Sequence, residues 1–495
     1  MTAQTSFSEF KFRLNEDLGT LDWGYGEING TIVQQLMEGL TLSDKDGKPV
    51  PAIAKKWRFM PGKQPSFIFH LDPKSAWSDG APVCAQHFID AWKRVLDPGF
   101  ASPYAHYLFD VKNAKAFHSG KERDASTLGL EALGCHTLKV LLEKPASYFA
   151  AITSHWVLFP IRKDLIENAP REWTRPGKLV VNGPYLLSEW APDQHYVLKR
   201  NPKYHGRPAF EETLKAVVVR EDATAFNLFQ DKRLDWVKDL PFLEKPRLSS
   251  TPEYKLFPTL VGYHIGFRPD VPRNIRCALS KSLNKDEIPQ VLKGGETPAW
   301  GVVPAELARY APKSHYDPVQ AKKLWDQTED KTWEAHYYSK DIHTPLMEWA
   351  QSQWKKNLGA EVNLKRMEGK TYWSFLQKSP PQIFLSGTTA AYAHPYTFLS
   401  EFLSQSHANW GRFASAPYDR AAMKTSELLA GSQLKPWVEK AQKILIEDQC
   451  AVIPLYFRQT ASLVSKDWNG FHVNPMTYVY LKDVRKRTPD MATKP

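Results

Sequence analysis

The chain lacks any apolar run approaching the roughly 18 to 20 residues that a bilayer helix needs. Its greasiest stretch, Tyr148 to Pro160, is interrupted by Thr153, Ser154 and His155. The N-terminal residues Met-Thr-Ala-Gln-Thr-Ser have neither a basic n-region nor an apolar h-region, so nothing in them directs export. Two expectations follow: a cytoplasmic protein, or one whose signal lies outside these residues. Cysteine is scarce. Cys84, Cys135, Cys277 and Cys450 are far apart and form no Cys-x-x-Cys pair, which argues against a zinc ribbon or a thioredoxin-type site. Buried free thiols are expected, because a free cysteine commonly serves as a small core residue.

The common catalytic signatures are also missing. There is no His-Glu-x-x-His, no Gly-x-Ser-x-Gly and no Gly-x-Gly-x-x-Gly. Gly369-Lys370-Thr371 imitates the end of a phosphate-binding loop, but Leu364 stands where that loop needs a glycine for its tight turn. The 15 histidines are dispersed, and neighbours such as His195 and His205 lack helical metal-ligand spacing. No cofactor, metal or nucleotide is expected, and no catalysis.

What is present points to a multidomain α/β protein. At 495 residues the chain exceeds what one core usually supports, and two or three domains are expected. Hydrophobic residues at 42% and aromatics at 13% exclude a disordered chain. The net charge of +11 arises from basic singles and pairs, such as Lys55-Lys56 and Lys355-Lys356, interleaved with acids. That pattern reads as a solvated surface rather than a nucleic-acid footprint, although Arg485-Lys486-Arg487 forms a small basic tail.

Phe67, Phe69 and Leu71, and again Leu138, Val140 and Leu142, alternate with the period of half-buried strands. Between them Phe88, Ile89, Trp92, Val95 and Leu96 predict a helix that Asp97-Pro98 ends. Ile32, Val33, Leu36, Met37 and Leu40 predict an earlier helix, and Ile275, Ala278, Leu279 and Leu283 a third. Alternation of strands and helices in every third of the chain predicts α/β layers.

Four separated segments carry a resemblance. The first runs from Gly19-Thr20-Leu21-Asp22 through Met37-Glu38-Gly39-Leu40 and Ala76-Trp77-Ser78-Asp79-Gly80 to Ala101-Ser102-Pro103-Tyr104. The second is Val181-Asn182-Gly183-Pro184-Tyr185 with Lys199-Arg200-Asn201-Pro202-Lys203-Tyr204. The third is Asn274 to Ser280 with Leu283-Asn284-Lys285. The fourth joins Trp354 to Gly359, Pro395-Tyr396-Thr397-Phe398-Leu399 and Ala451 to Tyr456. In order and spacing they resemble solute-binding family 5, the oligopeptide-, dipeptide- and nickel-binding receptors of ABC importers.

That resemblance implies a two-lobed periplasmic-binding-protein fold of type II, in its large peptide-binding class, with an appended domain. Lobe I would hold residues 1–42, 161–260 and 466–495, with 43–160 appended, and lobe II residues 261–465. Hinge closure on a small-molecule or peptide ligand is implied, as are importer permease subunits as partners, a periplasmic or extracytoplasmic location and a monomer. Nucleic acid is not implied, and membrane contact would come only through the importer or a lost lipid anchor.

For ligand contacts the resemblance implies Tyr25, Gly26, Glu27, Ile28 and Asn29 as a pairing strand, with Tyr104 projecting from the first lobe. Lys238, His264 and His472 align more loosely. Peptide-binding relatives carry Gly-Trp-x-Ala-Asp-Tyr-x-x-Pro in the second lobe, and its aspartate holds the peptide ammonium. Here the stretch reads Gly387-Thr388-Thr389-Ala390-Ala391-Tyr392-Ala393-His394-Pro395, with Ala391 at the aspartate position. A buried ammonium without a carboxylate costs several kcal/mol. The expected ligand therefore lacks an ordinary free α-amine, unless Glu27 or Asp239 replaces the missing acid. Lys238 with His394 would suit an anion. Two other readings are a sensor or scaffold uncoupled from import, and a peptide or glycan hydrolase using Glu27 and Asp239.

Overall fold

The computed structural model describes residues 8–25, 30–241, 244–310, 312–329, 332–340, 342–428 and 433–487. The chain divides into two compact units, residues 1–257 with 460–495, and residues 258–459. It passes from one to the other twice, inside the strands Tyr254–Phe267 and Val452–Val464.

In the first unit, strand Glu9–Leu14 runs parallel to Thr213–Val218 on one side and to Trp236–Lys238 on the other. Thr213–Val218 pairs antiparallel with His195–Arg200, which pairs with Tyr185–Ala191. Phe10 and Phe12 are fully buried. A separate four-stranded antiparallel sheet joins Ala54–Met60, Ser66–Leu71, Thr137–Leu141 and Leu130–Ala132. There Phe67 faces Val140 and Phe69 faces Leu138, so the two alternating patterns seen in the sequence meet across one ladder. The helix Ala85–Leu96 buries Phe88, Ile89, Trp92, Val95 and Leu96, and Asp97 caps its end.

The early helix is shorter than its pattern predicts, spanning Gly30–Leu36. Backbone contacts stop it. The Glu38 amide donates to Asn182 Oδ1 at 2.9 Å, and Asn182 Nδ2 returns a bond to the Glu38 carbonyl at 3.1 Å. A Cβ on Gly39 would lie 2.4 Å from the Thr153 carbonyl oxygen, and one on Gly183 would lie 2.6 Å from the Leu36 backbone. Both glycines are therefore fixed by close backbone approach, which explains two of the recognised motifs in packing terms. In a third, Asp79 Oδ1 accepts from the Ala81 amide while Gly80 takes φ 101°.

The second unit is built on parallel pairing of Glu361–Met367 with Thr332–Tyr338, and of the latter with Ile383–Thr389. Ile383–Thr389 runs antiparallel to residues 261–267. Helix Arg273–Lys281 and helix His343–Leu358 cover the sheet, with Trp325, Trp354 and Leu279 in the core. Trp354 Nε1 donates to the Leu279 carbonyl at 3.0 Å. Among the described residues no helix is long and apolar enough to cross a membrane.

The cysteines are not free thiols. Cys84 is bonded to Cys135 and Cys277 to Cys450. Each pair is brought together by backbone contacts that a linear spacing does not reveal. The Ala85 amide donates to the Cys135 carbonyl at 2.7 Å, and Arg276 Nη2 donates to the Gln449 carbonyl at 2.9 Å. The bridges close loops of 51 and 173 residues. Cross-links of this kind stabilise by about 2–4 kcal/mol each. A thiol assay on the denatured, unreduced protein should detect no reactive cysteine, and reduction should expose four and lower the melting temperature. Four reactive thiols before reduction would refute the pairing.

Candidate functional site

The first unit holds a cavity of 530 Å³ whose walls come from residues 15–18, the helix at Gly30–Leu36, Tyr104, Trp156, Lys238, Thr477 and Tyr478. One wall is aromatic. Tyr104 sits edge-on to Trp156 with ring centroids 4.8 Å apart, and His155 behind them stacks on Tyr107 at 4.3 Å. Burial pushes His155 down to about 3, so this wall carries no imidazolium at neutral pH.

The rest of the lining includes polar and charged groups. Asp17 accepts from the Tyr196 hydroxyl, while Glu16 is exposed. Lys238 ends the strand Trp236–Lys238, and its backbone is held by Ser462 across the ladder and by Arg13 Nη1 at its carbonyl. Its ammonium has no ion pair or hydrogen bond among the described residues. Asp239 follows in the left-handed region at φ 57° and is itself engaged.

Of the residues the resemblance implied, this cavity brings together Tyr104 and Lys238. Tyr25 lies apart from it, largely exposed with its ring 5.7 Å from Phe100. Gly26, Glu27, Ile28 and Asn29 lie outside the described residues. His472 does not line the cavity; its Nε2 contacts the Lys45 carbonyl at 3.2 Å and its ring packs edge-on against Phe257. Gln34, Trp156 and Tyr478 were not singled out from the sequence. A glutamine between apolar helix positions carries no signal of its own there.

The second-unit residues are described within their own unit. His264 is buried on its strand opposite Ser386, beside the Phe402 ring at 5.2 Å, and burial holds it down at about 4. At neutral pH it is a packed, uncharged imidazole. Gly387 allows close approach of Tyr263, whose Cε1 would lie 2.9 Å from an added Cβ. Thr389 is exposed at the end of the strand, and Tyr392 is buried. The Ala391 amide donates to Thr397 Oγ1 at 3.3 Å.

His394 caps the helix Pro395–Leu399, its Nδ1 accepting from the Tyr396 amide at 3.2 Å. Burial holds it down at about 4, so it is not the cation the sequence suggested for pairing with an anion. Thr388 is also buried, and its hydroxyl donates to Glu401. Burial pushes Glu401 up to about 8 against the lowering effect of that bond, so the acid beside this stretch is protonated at neutral pH. Among the described residues no cluster of three or more histidines, cysteines or acids is placed to hold a metal.

Glu401 has a stability consequence with a defined sign. Folded, it keeps its proton up to about pH 8, against 4.5 for the ordinary group. Stability present below the lower value is therefore lost as pH rises through the upper one. Glu401→Gln keeps an acceptor for Thr388 and has no proton to lose. Its melting temperature should match the parent at pH 5 and exceed it by a few degrees at pH 9. A constant difference across that range would show that Glu401 does not titrate as described.

The chain matches the model of bacterial extracellular solute-binding proteins, family 5 middle, over residues 48–410. It is 30% identical to the probable deoxycholate-binding periplasmic protein YgiS of Escherichia coli, over 96% of this chain and 93% of that protein. It is likewise 30% identical to the periplasmic oligopeptide-binding protein OppA of Salmonella typhimurium, over 93% of this chain and 88% of that protein. Among solved structures, the unliganded open form of the murein tripeptide-binding protein MppA superposes with a TM-score of 0.88 at 27% identity, covering 97% of this chain and 98% of that one. The Haemophilus influenzae OppA complex with the peptide RPPGFSPFR gives 0.75 at 26% identity, covering 97% and 99%. The two-lobed periplasmic peptide-binding architecture is thus the fold of this chain, which belongs to the bacterial extracellular solute-binding proteins of family 5.

Proposed function

We propose that the protein is the receptor of an ABC importer for a peptide or peptide-like solute without an ordinary free α-amine. The observation that carries the ligand part is the acid chemistry of the 387–395 stretch. Ala391 offers a methyl group where peptide-binding relatives place the ammonium-holding aspartate. Glu401 beside it is bonded to Thr388 and neutral, so it does not replace that charge. A desolvated ammonium left without a partner costs several kcal/mol. One relative is named for deoxycholate, a steroid acid that has no amine at all.

The location belongs to the same proposal. Two disulfides suit an oxidising compartment outside the cytoplasm, and the named relatives are periplasmic. So does the assignment of 43–160 as an appended domain, supported by its own four-stranded sheet, helix and disulfide. Hinge closure would act where the chain passes between its units.

Calorimetry with tripeptides to pentapeptides and their N-acetylated forms tests the ligand class. Free-amine peptides should bind weakly, and acetylation should not weaken them further. Ala391→Asp should strengthen binding of the free-amine forms by about 2 kcal/mol, within the range for close charge pairs. Melting temperature is followed in parallel, because an unpaired buried acid would destabilise the variant. Submicromolar binding of ordinary peptides that acetylation abolishes would overturn the reading.

A further inference from the structure

Gln34 and Gln35 are adjacent, both buried at 3% and 1% exposure, and differ completely in their bonding. Gln35 is saturated. Its Nε2 donates to the carbonyls of Thr31 and Val479 at 2.7 Å each, and its Oε1 accepts from the Leu481 amide at 2.8 Å. Gln34 Nε2 is buried without a partner among the described residues, and Gln34 lines the 530 Å³ cavity. A buried amide donor left unpaired costs about 1–3 kcal/mol, so it marks a place where an acceptor is wanted.

Two more donors open on the same space. Trp156 Nε1 makes no hydrogen bond among the described residues. A Cβ on Gly30 would lie 3.1 Å from Trp156 Nε1 and 3.9 Å from Gln34 Nε2, so the two donors lie close together beside the bare backbone of Gly30. Lys238, which lines the same cavity, supplies an ammonium with no partner among the described residues. Two neutral donors and one cation match a singly charged acceptor better than a dianion, which would call for more positive charge. Tyr104 and Tyr478 add flat apolar faces beside them.

We infer that the first-unit cavity is a subsite for a ligand carboxylate carried next to an apolar body, received by Gln34 Nε2, Trp156 Nε1 and Lys238 Nζ. This names the recognised group within the receptor reading and rests on it. The carboxylate has two sources: the C-terminus of an N-blocked peptide, or an apolar monocarboxylic acid. Two acids line the same cavity and oppose it: Glu16 is exposed and screened by solvent, and Asp17 is bonded to the Tyr196 hydroxyl.

The test is calorimetry on the full chain with deoxycholate and with N-acetyl-alanyl-phenylalanine, each against its own methyl ester. At least one acid should bind tenfold or more tightly than its ester, and which acid does so identifies the source. Lys238→Met and Gln34→Leu should each remove most of that preference, and Lys238→Arg should restore what Lys238→Met removes. A melting curve confirms folding of each variant. If acid and ester bind equally, or if the preference survives Lys238→Met, the subsite is overturned while the receptor reading stands. If neither acid binds but free-amine peptides do, both readings fall.

Discussion

The first unit depends on a clamp between Asn182 and the backbone of Glu38. Two reciprocal hydrogen bonds fix the end of the helix Gly30–Leu36, and Gly39 and Gly183 allow backbones to meet at distances no side chain would permit. Once that end is set, the helix has one rotation about its axis. Gln35 then points at the returning C-terminal segment, which it binds through Val479 and Leu481, and Gln34 points at the cavity. Gly30 at the other end makes room for Trp156. A larger residue at Gly39 or Gly183 would therefore disturb the cavity wall without touching it.

The same clamp ties distant parts of the sequence. Asn474 donates to the Ser43 carbonyl and side chain at 3.1 and 3.0 Å, and Tyr204 donates to the Glu38 carboxylate. Tyr478 reaches the cavity because its segment is held by Gln35 and by Asn474, whose Oδ1 accepts from the Tyr478 amide at 2.9 Å. The site is assembled from residues 15–18, 30, 31, 34, 104, 156, 238, 477 and 478, so no local pattern contains it.

That assembly decides what the sequence could reveal. Alternation at Phe67–Leu71 and Leu138–Leu142 was legible because a half-buried strand imposes a period of two on its own residues. The helix ending at Asp97-Pro98 was legible because proline acts on its immediate neighbours. Disulfide partners were not, since Cys84 and Cys135 are brought together by the antiparallel pairing of Ser66–Leu71 with Thr137–Leu141, which flank them in the sequence. Tyr104 and Lys238 were reached through the family resemblance. Gln34 was hidden because a glutamine on a helix reads as a solvent-facing residue until the C-terminal segment is known to cover that face.

The 387–395 stretch separates two kinds of constraint. Gly387 is demanded by the Tyr263 ring, and Pro395 opens a helix whose cap is His394; these positions answer to packing and persist whatever the ligand. The positions at Thr388 and Ala391 are those the proposed reading assigns to ligand chemistry, and there the chain departs from the pattern of peptide-binding relatives. Thr388 has turned inward to satisfy a protonated Glu401, which consumes an acid rather than presenting one. If the anchor is absent, as proposed, the packing at Gly387 and Pro395 is kept without it. In the proposed reading, recognition then falls to other groups, among them the donors of Gln34, Trp156 and Lys238 at the first-unit cavity.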